Sequence, residues 1–401
     1  MSITAEERST PTTDSAAEST AGPGPGPEPR LAARERATLR RYLPALADYL
    51  EATPLAVLES PGHDAVAVFK DAGGCGLIAP ESLGGLGASA VDAMDIHRAI
   101  GAQSPSLAAA VTMHHLSLAT IVEIAKAGPE EELPLVAGLI EQKAVIASGF
   151  AEGVGSTLVP SVDAYYDDGD YVINGSKKPC SLSSSMDFLA ASVATREKKG
   201  GKTRKAVALV PATMPGVSVR PFWTTPILAG AESEEVVLED VRIPVALTMI
   251  GALDDPDGQH ELTGFLWFGI LASAGYIGAA TALVERLVGH PKVSDGVYTT
   301  AAAELESAMA ALEAVAAALD RGEKGADVSA RLLFCRIALR GALRRAADAA
   351  VTALGGIAFI TDPDVAYLQS VVSAFAFHPP SIRETEASLA AYHRGEAFSL
   401  A

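Results

Sequence analysis

Residues 145–196 read VIASGFAEGVGSTLVPSVDAYYDDGDYVINGSKKPCSLSSSMDFLAASVATR, and the fold turns on how this stretch is understood. On either side the chain is rich in Ala, Leu and Glu at helical spacing. Here it changes to short alternating runs broken by Gly, Asp-Gly, Asn-Gly and Pro. Tyr171-Val172-Ile173 followed by Asn174-Gly175 predicts a strand that runs into a tight turn, because Gly takes the positive φ that two-residue hairpins require. The β character continues to residue 244, where AVALV and EEVVLEDV read as strands and PATMPG as a turn. The simplest architecture is a small β domain set between two helical regions, with a ligand where the layers meet.

Working outward, residues 31–143 are helical. LAARERATLRRYLPALADYLEA places apolar residues three and four apart, with Pro44 as the break. AGGCGLIAPESLGGLGAS is a Gly-rich loop of caps and turns between helices; no Gly-Lys-Ser/Thr follows, so it is not a phosphate loop. His114 and His115 are adjacent, and neighbouring helical residues point in different directions. One core and one exposed histidine are expected, not a metal pair. Residues 1–30 are Ser/Thr/Ala-rich and end in GPGPGPEP, the composition of a disordered tail. DDPDG at 254–258 reads as a linker. Beyond it the chain is helical again, with long apolar-faced helices that predict a bundle with an oligomeric face. The domains are then 31–143 (helical), 144–250 (β) and 259–401 (helical bundle), an α+β class that is mainly α.

Composition narrows the function. The chain has 401 residues, enough for two or three domains. A formal charge of −18 argues against a nucleic-acid surface. Charged residues punctuate every helix, so no run reads as a membrane span. Cys75, Cys180 and Cys335 are far apart, which suits a reducing compartment and excludes a disulfide framework or a Cys-based zinc site. No basic-then-apolar leader opens the chain. A cytoplasmic protein with no bound metal is expected.

Taken in order, these segments resemble the acyl-CoA dehydrogenase family of flavoproteins. GLIAPESLGGLGAS resembles its N-terminal signature, YVINGSKK its NG-x-K hairpin beside the flavin, LEDVRIP a strand-end motif, and ALGGIAF its LGG loop. The resemblance spans residues 35–395. It implies an N-terminal helical domain, a middle β domain and a C-terminal four-helix bundle. It also implies a homodimer or homotetramer that binds FAD between the β domain and the bundle, the diphosphate partly held by a neighbouring subunit. On this pattern Ser156, Cys180, Ser181, Gly355 and Gly356 bind the cofactor, with Ser181 reaching flavin N5.

The departures from the pattern concern chemistry. Family dehydrogenases use a Glu to remove the α-proton of an acyl thioester; that position is Pro379 here, within FHPPS, and the alternative position on the first bundle helix falls near Phe268. His378, Glu384 and Glu386 are the nearby groups able to act as acid or base, His378 because an ordinary imidazole titrates near neutrality. The Arg-x-x-Phe-Gly motif that gives FAD a cation is replaced by GHPKVSDGVY, with only His290 and Lys292 as cations, and the Gln before LGG is Thr352. Losing an Arg to a diphosphate forfeits roughly 1.5–3 kcal/mol, so FAD is expected to be weakly held or exchanged as reduced flavin. Three readings follow. The first is oxidation of an acyl thioester on CoA or a carrier protein in specialised biosynthesis, the base relocated or absent; the Ala/Gly-rich first bundle helix leaves room for a slim chain. The alternative is a flavin monooxygenase hydroxylating carbon or nitrogen through a flavin hydroperoxide, which needs no α-proton base. A non-redox binding protein is the second alternative. The first is preferred because most members of the family act on thioesters. Each takes a small molecule, with neither nucleic acid nor membrane as partner.

Overall fold

The computed structural model describes residues 31–128, 132–152, 161–196, 203–250, 259–396 and 398. The predicted tail, the 254–258 linker and Ser156 lie outside them. Pro44 divides α1 (Ala33–Tyr42) from α2 (Pro44–Ala52). It opens the second helix, where its missing N–H would have had no intrahelical partner anyway. After α3 (Leu55–Leu58) and α4 (Ala65–Asp71), the Gly-rich segment forms two short 3-10 turns. Ser89 and Ser104 then start α5 (Ala90–Gly101) and α6 (Pro105–Ala127) by accepting bonds from Asp92 N and Leu107 N. α7 (Glu132–Glu141) leads into the sheet.

Eight strands form one sheet: β1 (Ile146–Gly149), β2 (Asp163–Asp167), β3 (Asp170–Cys180), β4 (Phe188–Arg196), β5 (Thr203–Pro211), β6 (Val217–Arg220), β7 (Glu234–Pro244) and β8 (Thr248–Ile250). Their order is β6-β7-β3-β2-β4-β5-β8, and β1 pairs in parallel with the start of β4. The turn predicted at Asn174-Gly175 is not there. The β2–β3 hairpin closes at Asp168-Gly169, both at positive φ, and β3 runs straight through Asn174. Asp-Gly is as good a hairpin pair as Asn-Gly. Gly175 instead marks a register shift against β7, at φ 142 and where a Cβ would stand 2.9 Å from Val162 Cγ2. Asn174 binds Asp240 of β7 through both its own amide and the Asp240 backbone.

The C-terminal part comprises α8 (Gln259–Glu285), α9 (Asp295–Asp320), α10 (Ala326–Thr361), α11 (Pro363–Ala374) and α12 (Ile382–His393). The expected LGG loop is a kink inside α10, where Gly355 takes φ 82 and ψ 170. α6 and α8 are long and apolar enough to cross a bilayer, but most of each is buried inside the fold. α8 packs against α5, α6, α9, α10 and α11. Most of its glycines are filled by neighbours, against the slim-chain space that the sequence suggested; only Gly275, with Ala272, borders a cavity among the described residues. A Cβ on Gly278 would meet Arg98 O at 2.2 Å, and one on Gly269 would meet Leu332 Cδ2 at 2.4 Å. Fully buried Leu266, Ile270, Leu271 and Leu283 anchor α8, each contributing about 1.5–3 kcal/mol of burial.

Both adjacent histidines are buried, against the expectation of one exposed. α6 is covered by β1 on one side and by α5 and α8 on others, so pointing in different directions does not bring either ring to water. His114 accepts from Ile146 N at 3.1 Å and bonds Cys75 O at 2.9 Å; His115 bonds Gly74 O at 3.2 Å and His97 at 2.9 Å.

Candidate active site

Residues 105, 108, 109, 112 and 113 share one face of α6 by their three- and four-residue spacing. Across from them α8 presents Ala272, Gly275 and Tyr276, and His378 closes the remaining side. Between them lies a narrow cavity of about 10 Å³ with an almost wholly apolar wall. His378 reaches it because the chain leaves α11 through a short 3-10 turn at Phe375–Phe377. The imidazole lies against Phe268 (6.1 Å between centroids) and meets Tyr276 edge-on at 5.1 Å. Arg336 of α10 donates to the carbonyls of His378 and Pro379, each at 3.4 Å.

Electrostatics keep His378 and Tyr276 on this cavity's wall neutral. Burial, and then the Arg336 charge, push His378 down to about 4. The near-neutral titration expected from sequence is therefore corrected: at pH 7 the ring is uncharged, a weak base and not an acid. Burial raises Tyr276 above the ordinary phenol range, so it stays protonated. Its hydroxyl is buried and has no hydrogen-bond partner among the described residues. Such a group costs about 1–3 kcal/mol, and in a native fold it points to a partner supplied from outside.

The other predicted residues are placed as follows. Glu384 and Glu386 stand exposed at the start of α12, away from the cavity wall. Glu384 is spent on a capping box, its carboxylate accepting from Ser381 N at 2.6 Å. Neither is brought to His378 as a replacement base. Cys180 is fully buried at the end of β3, its thiol pushed up to about 12 by burial. Ser181 is half-buried, with its Oγ 2.9 Å from Ser233 Oγ. Gly355 and Gly356 sit at the α10 kink, where added Cβ atoms would meet nothing. The structure does not join them to the cavity. Lys292 is exposed in the short α8–α9 connection, and the nearby Arg286 is held by Asp362 and Asp364.

Ser181 and Ser233 fit a flavin edge. When one hydroxyl donates to the other, the acceptor's own O–H is left over, and a flavin ring offers N and O acceptors to such a donor. Behind them Lys177, wholly buried in β3, makes an ion pair with Glu152 at 2.5 Å and a bond to Ser192 Oγ at 3.1 Å. This pair ties the FAEGVGST tract to the NG-x-K strand. Lys177 is the Lys of the NG-x-K motif; its pairing with Glu152 was not foreseen. Tyr276, Thr112 and Arg336 escaped sequence reasoning altogether. The only available signal was one hydroxylated aromatic in the otherwise Ala/Gly-rich ILASAGYIGAATA of α8.

Comparison with known proteins agrees with this geometry. Residues 34–132 match the model of the acyl-CoA dehydrogenase N-terminal domain. The chain is 41% identical over 367 residues to isobutylamine N-hydroxylase of Streptomyces viridifaciens, covering 90% of this chain and 97% of that protein. It is 29% identical over 306 residues to amino sugar nitrososynthase DnmZ of Streptomyces peucetius, 72% of each chain. The FMN-bound structure of TdsC from Paenibacillus sp. A11-2 superposes with a TM-score of 0.79 at 18% identity, over 92% of this chain and 98% of that one. These relatives support the monooxygenase alternative better than the preferred thioester reading. They also support a flavin, FMN or FAD, in place of FAD specifically. With its helical domains, its sheet and its motifs in family order, the chain belongs to the acyl-CoA dehydrogenase family of flavin-dependent oxidoreductases.

Proposed function

We propose that the protein is a flavin-dependent monooxygenase that hydroxylates the nitrogen of a small primary alkylamine. The observation that carries this is the cavity wall: small, apolar, with a neutral imidazole and an unpaired phenol, and with proline where a dehydrogenase has its carboxylate. A thioester α-proton needs a strong, positioned base; oxygen transfer to nitrogen does not. The relative of similar length that is named for N-hydroxylation of isobutylamine supports both the reaction and the substrate size.

In this reading the three-part division 31–143, 144–250 and 259–401 places flavin between the β domain and the bundle. Ser181, with Ser233, would hold its ring edge; Ser156, Gly355 and Gly356 would contact the remainder. Reduced flavin, when bound, supplies the activation of O₂. The chain's own residues do the rest. Apolar side chains of α6 and α8 exclude water from the reacting nitrogen. Tyr276 Oη orients that nitrogen. A ring nitrogen of His378 takes the proton released as the N–O bond forms. A nitrogen bearing oxygen holds its proton far less tightly than an alkylammonium, so a weak base suffices. Ile357, Ile360 and Phe377, exposed by 76%, 77% and 85%, are apolar surface that packing by a second copy would cover. A cytoplasmic setting, with reduced flavin delivered by a reductase, suits this chemistry.

The test is to supply the protein with reduced FMN or FAD, isotopically labelled O₂ and isobutylamine, and to follow the product by mass. Incorporation of one labelled oxygen at nitrogen is expected. Desaturation of acyl thioesters without oxygen incorporation would overturn the reading.

A further inference from the structure

The buried charge that the reaction above leaves unused is Arg336. Its side chain is buried, and no carboxylate among the described residues pairs with it. Its bonds go to Ser273 Oγ at 3.3 Å and to the carbonyls of His378 and Pro379; its guanidinium carbon lies 4.9 Å from the Phe375 ring centroid and 5.5 Å from that of Phe268. Every element packed around it offers neutral or positive groups. α8 supplies Ser273 and Tyr276, the segment after α11 supplies His378, α12 supplies Ser381 and Thr385, and α10 itself adds Arg340 one turn on. The carboxylate of Glu384, on α12, is exposed and bonded to the Ser381 backbone. The α6 wall of the adjoining cavity carries no charge either.

We propose that Arg336 makes the cavity reject cations, so that the amine substrate is bound in its uncharged form. This rests on the amine reading above. An alkylamine has a pKa of about 10.4, like the lysine side chain, and is almost wholly ammonium in neutral water. Inside this cavity an ammonium would lose its hydration with no carboxylate to replace it, while the Arg336 guanidinium, set behind the His378 and Tyr276 wall, repels it through a low dielectric. The free amine meets neither penalty, and its proton is left in bulk water. Arg336 is thus a specificity-determining residue and not a catalytic one. Between pH 7 and 9 neither His378 (about 4), nor Arg336 (about 10), nor the raised Tyr276 changes charge, so pH dependence of binding in that window belongs to the ligand.

Calorimetric titration of the flavin-loaded protein with isobutylamine and with isobutanol at pH 7, 8 and 9 tests this. The amine Kd should fall about tenfold per pH unit, following the neutral fraction, while the alcohol Kd stays constant. R336Q should flatten the amine slope to under about threefold per unit, and R336K, which keeps the charge, should restore it. A flat amine Kd in the unmodified protein, or an unchanged slope in folded R336Q, overturns the proposal. If R336Q does not fold, tetramethylammonium and tert-butanol decide. The permanent cation should bind at least about thirtyfold more weakly than its neutral counterpart, and equal binding overturns the proposal. Failure to oxygenate any alkylamine would sink the functional reading instead, because these affinities are read without turnover.

Discussion

Two groups of buried polar side chains share α6, and they are opposites. On the side facing α5 and the Gly-rich turns, every polar atom is used. Gly74 O can only accept, so His115 Nε2 carries hydrogen; its Nδ1 then accepts from His97 Nε2, and His97 Nδ1 lies 3.1 Å from the Thr112 hydroxyl, whose one hydrogen is shared with Ala108 O at 2.8 Å. Both rings stay neutral with all four nitrogens within hydrogen-bond distance of a partner. At the start of α6, Glu59 accepts from Ser104 Oγ, Ser106 N, Ser106 Oγ and Tyr367 Oη, while Tyr367 Oη accepts from Leu228 N. On the cavity side, Tyr276 Oη has no partner and Arg336 no counter-charge among the described residues. Saturated clusters hold helices together; unsaturated ones wait for a ligand.

The largest test of this contrast is acid. His97 and His114 are held neutral by burial, at about 3 and about 4 against an ordinary 6.5. Their folded values are depressed, so the unfolded chain binds more protons. Their contribution is present above pH 6.5 and is lost as pH falls from 6.5 toward 4, at most about 1.4 kcal/mol per pH unit per ring, or roughly 3 kcal/mol each. Urea midpoints measured from pH 7 to 5 should drop accordingly; a constant midpoint would break the picture of a neutral cluster. Next in size is Glu59→Ala, which strands three buried hydroxyls and a backbone N–H and should cost about 3 kcal/mol, read as a lowered thermal midpoint with flavin affinity retained.

The cavity side should respond in activity instead. His378→Ala is expected to reduce turnover at least tenfold, about 1.4 kcal/mol of transition-state stabilisation, with flavin content unchanged; equal turnover would remove His378 from the mechanism. Tyr276→Phe is the smallest and most discriminating change. Deleting an unpaired hydroxyl should leave stability within about 0.5 kcal/mol or raise it, while kcat/KM for an amine falls a few-fold. A loss of stability like that of Glu59→Ala would mean that Tyr276 belongs to the architecture after all.

Much of the fold was legible because it is written locally. Proline at 44, serines at 89 and 104, and the alternation of 203–211 and 234–244 each act on their own few residues. The Asn-Gly misreading has the same origin: two equivalent turn signals lie six residues apart, and only pairing with β2 and β7 chooses between them. The site was half legible. Proline at 379 and its neighbour His378 could be read from spacing to the LGG motif. Tyr276, Thr112 and Arg336 come from three helices far apart in the chain, and their meeting depends on how α6, α8 and α10 cross. His378 itself was named for a titration near neutrality that burial removes; burial is not a property of the residue type.

The crossing of α5 and α8 is set by main chain against main chain: a Cβ on Gly101 would stand 2.2 Å from Gly275 O. Helices seated this way cannot spread to admit a bulkier guest without breaking that contact. Substrate range should then diverge by trimming or filling the wall, at Ala109, Met113 and Ala272, with the framework left alone. A lineage built on this chain would diversify its guests by changing side chains within a room of fixed dimensions, and laboratory evolution toward bulkier guests has its first libraries at those three positions.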